Sequence, residues 1–206
     1  MGIAWSLEGG HRGYEFGRPL ARREVSRALL RTLLTERIAG CGGRFEFVQQ
    51  CPECGSSGHG PLRVRLPVNA EDQRGNAPLV SVSYAGDLTV VGLAPPGSSA
   101  FGIDVEFDDA RSRRAAAEAL DRHEATATAT ATATPASAEP YRLREWTRLE
   151  AAAKASGRAL HGDWRHASFD GLTLFEAELP TPQPVMLSVA LSVAPDGQAP
   201  GASERP

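Results

Sequence analysis

The segment from Phe101 to Glu106 alternates apolar and acidic residues, a pattern typical of a β-strand with two different faces. Residues two apart point to the same side of a strand, so Asp104 and Glu106 would lie side by side. Two carboxylates held this close repel each other unless a cation lies between them or one of them binds a proton. The segment therefore predicts either a cation site or an exposed strand edge that carries acids.

A helix is predicted from Trp146 to Gly157, because Ala, Leu and Lys are strong helix formers and the glycine is placed to end the run. Glu150 and Lys154 are four residues apart and would share one face, where such a pair is usually solvated. Together, the helix and the acidic strand can supply three carboxylates and one ammonium. Oxygen ligands of this kind suit a hard cation such as Mg²⁺, and the ammonium would meet a phosphate as a point charge.

At these residues the chain resembles the 4′-phosphopantetheinyl transferase superfamily, in its larger, monomeric form. That family carries a Gly-Ile/Val-Asp-Val/Ile-Glu strand and a later Trp-x-x-x-Glu-x-x-x-Lys helix, and both patterns occur here with intact spacing. The resemblance extends from about Leu20 to Ala194. The matching residues are Gly102, Ile103, Asp104, Val105, Glu106, Trp146, Glu150 and Lys154.

The resemblance implies an α+β fold in which two similar α/β halves pack as an intramolecular pseudo-dimer, with the active site in the cleft between them. Residues 1–98 would form the half that binds coenzyme A, residues 99–194 the half that holds the metal, and residues 195–206 a mobile tail. The implied reaction transfers the 4′-phosphopantetheine arm of coenzyme A to a serine of an acyl or peptidyl carrier protein and releases 3′,5′-ADP. It would use Mg²⁺, with coenzyme A as co-substrate.

The resemblance also assigns roles to individual residues. Asp104, Glu106 and Glu150 would hold Mg²⁺ on the pyrophosphate, and Glu150 or a metal-bound water would take the proton of the serine. Lys154 would bind the phosphate and steady the leaving group. The residues that it places against coenzyme A are Arg22, Arg23, Ser83, Tyr84 and Lys154.

Two short motifs depart from the family pattern. Residues 83–86 read Ser-Tyr-Ala-Gly where Ser-His-Ser/Ala-Gly is usual, so Tyr84 replaces a histidine that normally helps hold the nucleotide phosphate. Residues 59–61 read His-Gly-Pro without the usual basic residue before the proline, and Arg63 or Arg65 would have to substitute. These departures motivate an alternative, a degenerate relative that binds carrier protein but catalyses weakly or not at all.

A Cys-Pro-Glu-Cys segment at residues 51–54, followed by His59, raises a third hypothesis, a small zinc-ribbon-like interaction protein. A Cys-x-x-Cys motif suggests half of a zinc site, but a closed structural site needs four ligands. The sequence has no second such motif, and His59 and Cys41 could complete the set only with awkward spacing. The loop is therefore predicted to be a turn between two strands.

Bulk properties favour a cytoplasmic protein without nucleic-acid or membrane partners. The 206 residues are 41% hydrophobic and 23% charged, which is ordinary for a soluble globular chain, and the net charge of −3 gives no general case for nucleic acid or an anionic membrane. The first ten residues lack the apolar run of a signal peptide, and no 18-residue apolar stretch occurs. Three cysteines, an odd count, suit a reduced compartment.

The remaining elements follow from periodicity and punctuation. In the first half, residues 1–19 are predicted to be irregular, a helix runs from about Pro19 to Ala39, and residues 95–100 form a linker. Arg23, Arg27 and Arg31 recur every four residues on this helix and form either a solvated face or one that meets phosphate. The predicted strands are 45–48, 62–66, 79–84, 88–93, 101–106, 164–169, 172–178 and 185–193. The other predicted segments are a helix at 109–124, a disordered Ala-Thr loop at about 124–139 and a helix at 141–160.

Overall fold

The computed structural model describes residues 1–7, 19–38, 44–52, 54–66, 77–127, 139–157 and 169–193. Within these ranges the chain combines α-helices with antiparallel sheets and belongs to the α+β class, as predicted. The helices are α1 (Pro19–Arg37), α2 (Ala110–Ala127) and α3 (Glu139–Ala155). The strands are β1 (Gly2–Leu7), β2 (Glu46–Gln49), β3 (Leu62–Arg65), β4 (Val80–Ala85), β5 (Leu88–Leu93), β6 (Ser98–Phe107), β7 (Thr173–Ala177) and β8 (Val185–Val193).

Two three-stranded antiparallel sheets form the frame of the molecule. The first has the order β1-β5-β4 and the second the order β6-β8-β7, so in each sheet the last strand of the set lies in the middle. Helix α1 packs on β1 and β5, and helix α3 packs on β6 and β8. The short hairpin β2–β3 adds Val64 to the core beneath α1, beside Leu30 and Leu34.

The two sheets share a core and meet where β4 lies beside β6. Val90 of the first sheet packs with Ile103, Val105 and Val189 of the second, and all four side chains are buried. Because strand residues alternate between faces, the neighbouring Val91 turns to the α1 side instead. At the junction, the backbone amides of Ile103 and Val105 donate hydrogen bonds to the hydroxyl oxygens of two β4 serines, over 3.1 and 3.2 Å.

Helix α3 approaches β6 so closely that only glycine fits at position 102. A methyl group there would lie 2.1 Å from the Ala151 carbonyl oxygen and 2.5 Å from the Ala155 amide nitrogen. The small residues in the middle of α3 therefore let the helix backbone pack directly on the strand. The sequence suggested them only as helix formers. The contact sets the height of every α3 side chain above β6. Gly157 ends the helix as predicted, with a φ of 70°.

Several predicted boundaries are corrected by long-range pairing. Residues 1–19 were expected to be irregular, but Gly2–Leu7 forms β1 and pairs antiparallel with β5, because Ile3 and Trp5 pack into the core shared by the sheets. The expected linker at 95–100 is shorter, since β6 already begins at Ser98, which pairs with β8. Helix α2 continues to Ala127, so the start of the expected Ala-Thr loop is helical.

Other sequence predictions hold or fall outside the described residues. The hairpin of β4 and β5 and the strand β8 are confirmed close to their predicted bounds, while α3 is shorter at its end than the predicted helix at 141–160. The rest of the Ala-Thr segment, most of the predicted strand at 164–169 and the tail at 195–206 lie outside the described ranges. No helix among the described residues is long and apolar enough to cross a membrane.

Replacing Gly102 with alanine tests the close contact. The added methyl group would meet the α3 backbone, which can move only with the whole helix, so we expect Gly102→Ala to cost about 3 kcal/mol or more of unfolding free energy. Gly92→Ala is the matched control, because its methyl group would meet ring atoms of Phe101, at 2.8 Å, rather than backbone. Chemical denaturation measures both. A Gly102→Ala loss no larger than that of Gly92→Ala would contradict the close contact.

Candidate functional site

Asp104 lies at the centre of the predicted acidic strand and is 3% exposed. Its Oδ1 atom accepts a hydrogen bond of 2.6 Å from the Lys154 ammonium and one of 2.8 Å from the Ser83 hydroxyl. Its Oδ2 atom is buried, and no donor among the described residues bonds it while Glu150 is ionised. A buried carboxylate oxygen without a donor is costly, so Oδ2 is where a proton or a cation would stabilise the site.

Lys154 reaches from α3 across β6 to the edge of the first sheet. Its ammonium also donates to the Ser83 hydroxyl over 3.1 Å and lies 3.9 Å from the Glu150 carboxylate. The Ser83 hydroxyl in turn donates to Asp104 and accepts the Val105 amide, so its one proton and two lone pairs are all used. Ser83 therefore acts as a fixed support for the lysine and the aspartate.

Two glutamates complete the acidic cluster, defined here as Asp104, Glu106 and Glu150. Burial raises the pKa of Glu150 to about 7. Repulsion by Asp104 and Glu106 raises it further, as does a hydrogen bond to Asp104 that only the protonated acid makes. Lys154 opposes the shift. Burial likewise raises the pKa of Glu106 to about 7, with repulsion by Asp104 and Asp109 adding to it against Lys154. The single ammonium does not balance three ionised carboxylates, so near neutral pH the cluster attracts a further positive charge.

A polar contact beneath α3 fixes how the helix presents these side chains. Thr147 and Ser188 are both fully buried, and their hydroxyl oxygens lie 2.7 Å apart. Ser188 is the β8 partner of Asp104, and Thr147 is three residues before Glu150, so the bond ties the helix to the strands directly beneath the cluster. None of the sequence motifs includes this pair. The available signal was a threonine in the inward-facing stripe of the predicted helix.

Three of the residues assigned to coenzyme A lie away from the acidic cluster, around α1. Tyr84 follows Ser83 on β4 and so points the other way, where its hydroxyl donates to Ser26 over 3.0 Å. Arg22 donates to the Gly86 carbonyl oxygen in the β4–β5 turn over 2.6 Å, and Arg23 donates to the Gly58 carbonyl oxygen. The structure thus brings Ser83 to the acids but groups Tyr84 and the two arginines near the start of α1.

The arginine face of α1 rests on aromatic rings of the β2–β3 hairpin. The guanidinium carbons of Arg27 and Arg31 lie 5.1 and 5.0 Å from the centre of the Phe47 ring. Burial lowers the pKa of Arg27; Tyr84 opposes this shift, and Arg23 and Arg31 on the same face add to it. Two members of this face, Arg27 and Arg31, are thus held by stacking on an aromatic ring and are not wholly solvated.

A second group of possible metal ligands lies in the loop between β2 and β3. The loop forms a turn between strands, as predicted, and it brings together the ligand atoms of Cys51, Cys54 and His59. Their spacing is awkward in the sequence because a linear pattern does not show how the loop folds back. These donors are sulfur and nitrogen, which separates them chemically from the acidic cluster.

A small pocket of about 130 Å³ opens on another face of α3. Tyr141, Leu149, Phe169 and Leu174 line it together with charged side chains of the helix. Because successive helix residues are 100° apart, this pocket faces away from Glu150 and Lys154. It is a separate surface and does not belong to the acidic cluster.

Comparison with known proteins leaves the chemistry to be judged from the chain's own residues, since neither a scan against protein-family models nor a search of curated proteins finds a match. Those residues offer carboxylate oxygens for a hard cation, one preplaced ammonium for an anion, and acids that ionise near neutral pH. That combination suits chemistry on a phosphate or pyrophosphate.

The raised pKa values predict how the metal-free protein responds to pH. Glu106 and Glu150 ionise near 7 in the folded state and near their ordinary 4.5 when unfolded, so the folded state holds protons that the unfolded state has released. The stability that this contributes is complete below about pH 4.5 and is lost as the pH rises through 7. We therefore expect the melting temperature in chelator to fall between pH 5 and 8.

Glu150→Gln should make this fall in melting temperature shallower, because the amide does not titrate and because its neutral side chain no longer repels the Glu106 carboxylate. Glu118→Gln, on the exposed face of α2, is the control and should follow the wild type. Calorimetry of the three proteins in chelator makes the comparison. The same pH slope in Glu150→Gln as in the wild type would show that the acidic cluster does not carry the effect.

Proposed function

We propose that the protein is a Mg²⁺-dependent 4′-phosphopantetheinyl transferase, which moves the arm of coenzyme A onto a serine of an acyl or peptidyl carrier protein. The observation that carries the proposal is the buried, unpartnered Oδ2 of Asp104 amid two further carboxylates and one ammonium. The residues gathered there, from β6 and α3, are those on which the sequence resemblance depends. We place the activity in the cytoplasm and in a monomer, as that resemblance implies.

The acidic cluster offers carboxylate oxygens of the kind a hard divalent cation prefers, but its three carboxylates do not converge within 4.8 Å as the Cys51, Cys54 and His59 ligand atoms do, so its side chains would have to move to share one ion. Lys154 bonds Oδ1 of Asp104, so Oδ2 would be the oxygen that holds a metal, and Glu106 and Glu150 would add further oxygen ligands. The raised pKa values of both glutamates reflect the same excess of negative charge, which a bound cation would reduce. When bound, the ion supplies the charge that neutralises the pyrophosphate of coenzyme A.

The chain's own residues then divide the remaining work. Glu150, with a pKa near 7, is suited to accept the proton of the carrier serine as its oxygen attacks the β-phosphate. The bond from that phosphorus to the bridging oxygen breaks, and the electron pair leaves with 3′,5′-ADP. Lys154 binds the phosphate from a position already set by Asp104 and Ser83, so little reorganisation is needed. Ser83 thus acts through the lysine.

We also infer that the two sheets with their helices are related halves of a pseudo-dimer. Apart from the hairpin β2–β3 in the first half and the additional helix α2 in the second, each half runs strand, helix, strand, strand, and each places its last strand in the middle of the sheet. Ser83 of the first sheet contacts Asp104 and Lys154 of the second set of elements, so the cluster lies at the junction. This supports an active site between the halves, with coenzyme A bound along the α1 side.

Tyr84 favours a second candidate, a relative that binds carrier protein but transfers weakly. Its hydroxyl is engaged by Ser26, and a tyrosine brings no positive charge at neutral pH. The alternative arginines offer limited help, because Arg65 lies 3.6 Å from Glu46 in an exposed ion pair. The two candidates share a binding surface and differ in turnover.

Transfer is tested by incubating the protein with coenzyme A, Mg²⁺ and a panel of apo carrier proteins, and by reading a one-arm mass gain on each. We expect transfer by the wild type, none in excess chelator, and a loss of about 100-fold or more in kcat for Glu150→Gln and Lys154→Ala, which remove the base and the phosphate ligand. Glu118→Gln is the control. Near-full turnover of Glu150→Gln at saturating Mg²⁺ would refute the mechanism. Carrier binding without transfer would favour the second candidate.

Tyr84→His should restore a charged contact to coenzyme A. A charge-assisted hydrogen bond contributes about 1.5–3 kcal/mol, so the KM for coenzyme A should fall by roughly ten- to a hundred-fold, more at pH 6 than at pH 8 because only the imidazolium carries charge. Tyr84→Phe, which loses the Ser26 contact without gaining charge, is the control. If Tyr84→His raises KM at either pH, Tyr84 is itself an adapted contact, and the second candidate loses its main support.

A further inference from the structure

We propose that Cys51, Cys54 and His59 form a zinc site, separate in place and chemistry from the acidic cluster. Their ligand atoms all lie within 4.8 Å of one another, and the Cys54 sulfur is 3.2 Å from Nε2 of His59. A tetrahedral zinc ion with ordinary bond lengths would place such atoms roughly 3.5–3.8 Å apart. The three side chains therefore need to move by only about 1 Å or less to share one ion.

The backbone of the loop is built to hold these donors together. The Gly55 amide donates to the Cys51 carbonyl oxygen and the Cys51 amide to that of Ser56, both over 2.9 Å, which closes the turn that carries the two thiols. Gly55 takes a φ of 71°, in the left-handed region that glycine adopts without strain. The backbone therefore places both cysteines in one small turn without a bound metal.

A second contact returns the chain so that His59 faces the cysteines. A methyl group at Gly60, whose φ is 102°, would lie 2.6 Å from the Cys51 amide nitrogen and from the Gln50 carbonyl oxygen. The Gln49 side chain also donates to the Gly60 carbonyl oxygen over 2.9 Å. Glycine is therefore required where the chain just beyond His59 packs on the backbone of Cys51, and the histidine is held within reach as a result.

The donor set selects the ion. Two thiolates and an imidazole are softer than the oxygens that Mg²⁺ prefers, and they match zinc sites with three protein ligands and an open fourth position. Cys51 is buried, whereas Cys54 and His59 are exposed, so that fourth position faces solvent and suits a water molecule. The ion would cross-link the β2–β3 loop. The Gly58 carbonyl oxygen of this loop accepts a hydrogen bond from the Arg23 guanidinium. Zinc would thereby also steady the first turns of α1.

The test uses the full chain without a metal-binding tag, reduced, stripped with chelator and then dialysed. We expect elemental analysis to find one Zn²⁺ per chain after reloading. Co²⁺ should give thiolate charge-transfer absorption, and saturating Zn²⁺ should raise the melting temperature by about 8 °C or more at a thousand-fold excess over Kd. Excess Mg²⁺ should not displace the zinc, and Glu150→Gln should bind zinc as the wild type does. None of these readouts depends on transferase activity.

Cys54→Ser and His59→Gln should each weaken Zn²⁺ binding by about 100-fold or more, and both residues are exposed, so the apoproteins should fold. Ser57→Ala, in the same loop and also exposed, is the control and should bind normally. Less than one zinc per ten chains, or stoichiometric zinc that survives both substitutions, would overturn the proposal. So would a Cys51–Cys54 disulfide that forms in reducing buffer and leaves the stripped protein unable to bind Zn²⁺ or Co²⁺.

Discussion

The contact between the backbone of α3 and Gly102 of β6 is the constraint on which the candidate site depends. Because no side chain separates helix from strand, Glu150 and Lys154 reach only the strand residues next to that contact, and these include Asp104. The buried bond between Thr147 and Ser188 then sets the rotation of the helix about its axis. Height and rotation together leave the charged groups few alternative positions, which is the preorganisation that a catalytic site requires.

The close packing of α3 on β6 also buries more negative charge than the protein's own side chains neutralise. Burial draws Asp104, Glu106 and Glu150 out of water, and Lys154 offsets only part of their mutual repulsion. A structural ion pair would ordinarily match its charges and satisfy each oxygen. Here an oxygen is left over and two acids hold protons at unusually high pH, so the free protein carries an electrostatic cost that added positive charge would reduce.

Local patterns predicted the parts of the site that lie on one strand or one helix, and failed where distant segments decide. The pairing of Glu150 with Lys154 follows from helical spacing alone. Strand Gly2–Leu7 was missed because its partner is more than 80 residues away and its flank is rich in glycine. Tyr84 was grouped with its neighbour by motif, although adjacent strand residues face opposite ways. The position of His59 depends on a backbone contact at a glycine, which no side-chain pattern reveals.

The serine hydroxyls at the junction of the two sheets have a consequence for association. The amides of Ile103 and Val105 point away from β8, and on an open strand edge they would be available to a strand of another molecule. Ser81 and Ser83 occupy them instead, so β6 has two hydrogen-bonded sides although it ends its own sheet. The long strand β6 is thereby protected against edge-to-edge aggregation, and Ser83, which bonds the Val105 amide, also supports Lys154.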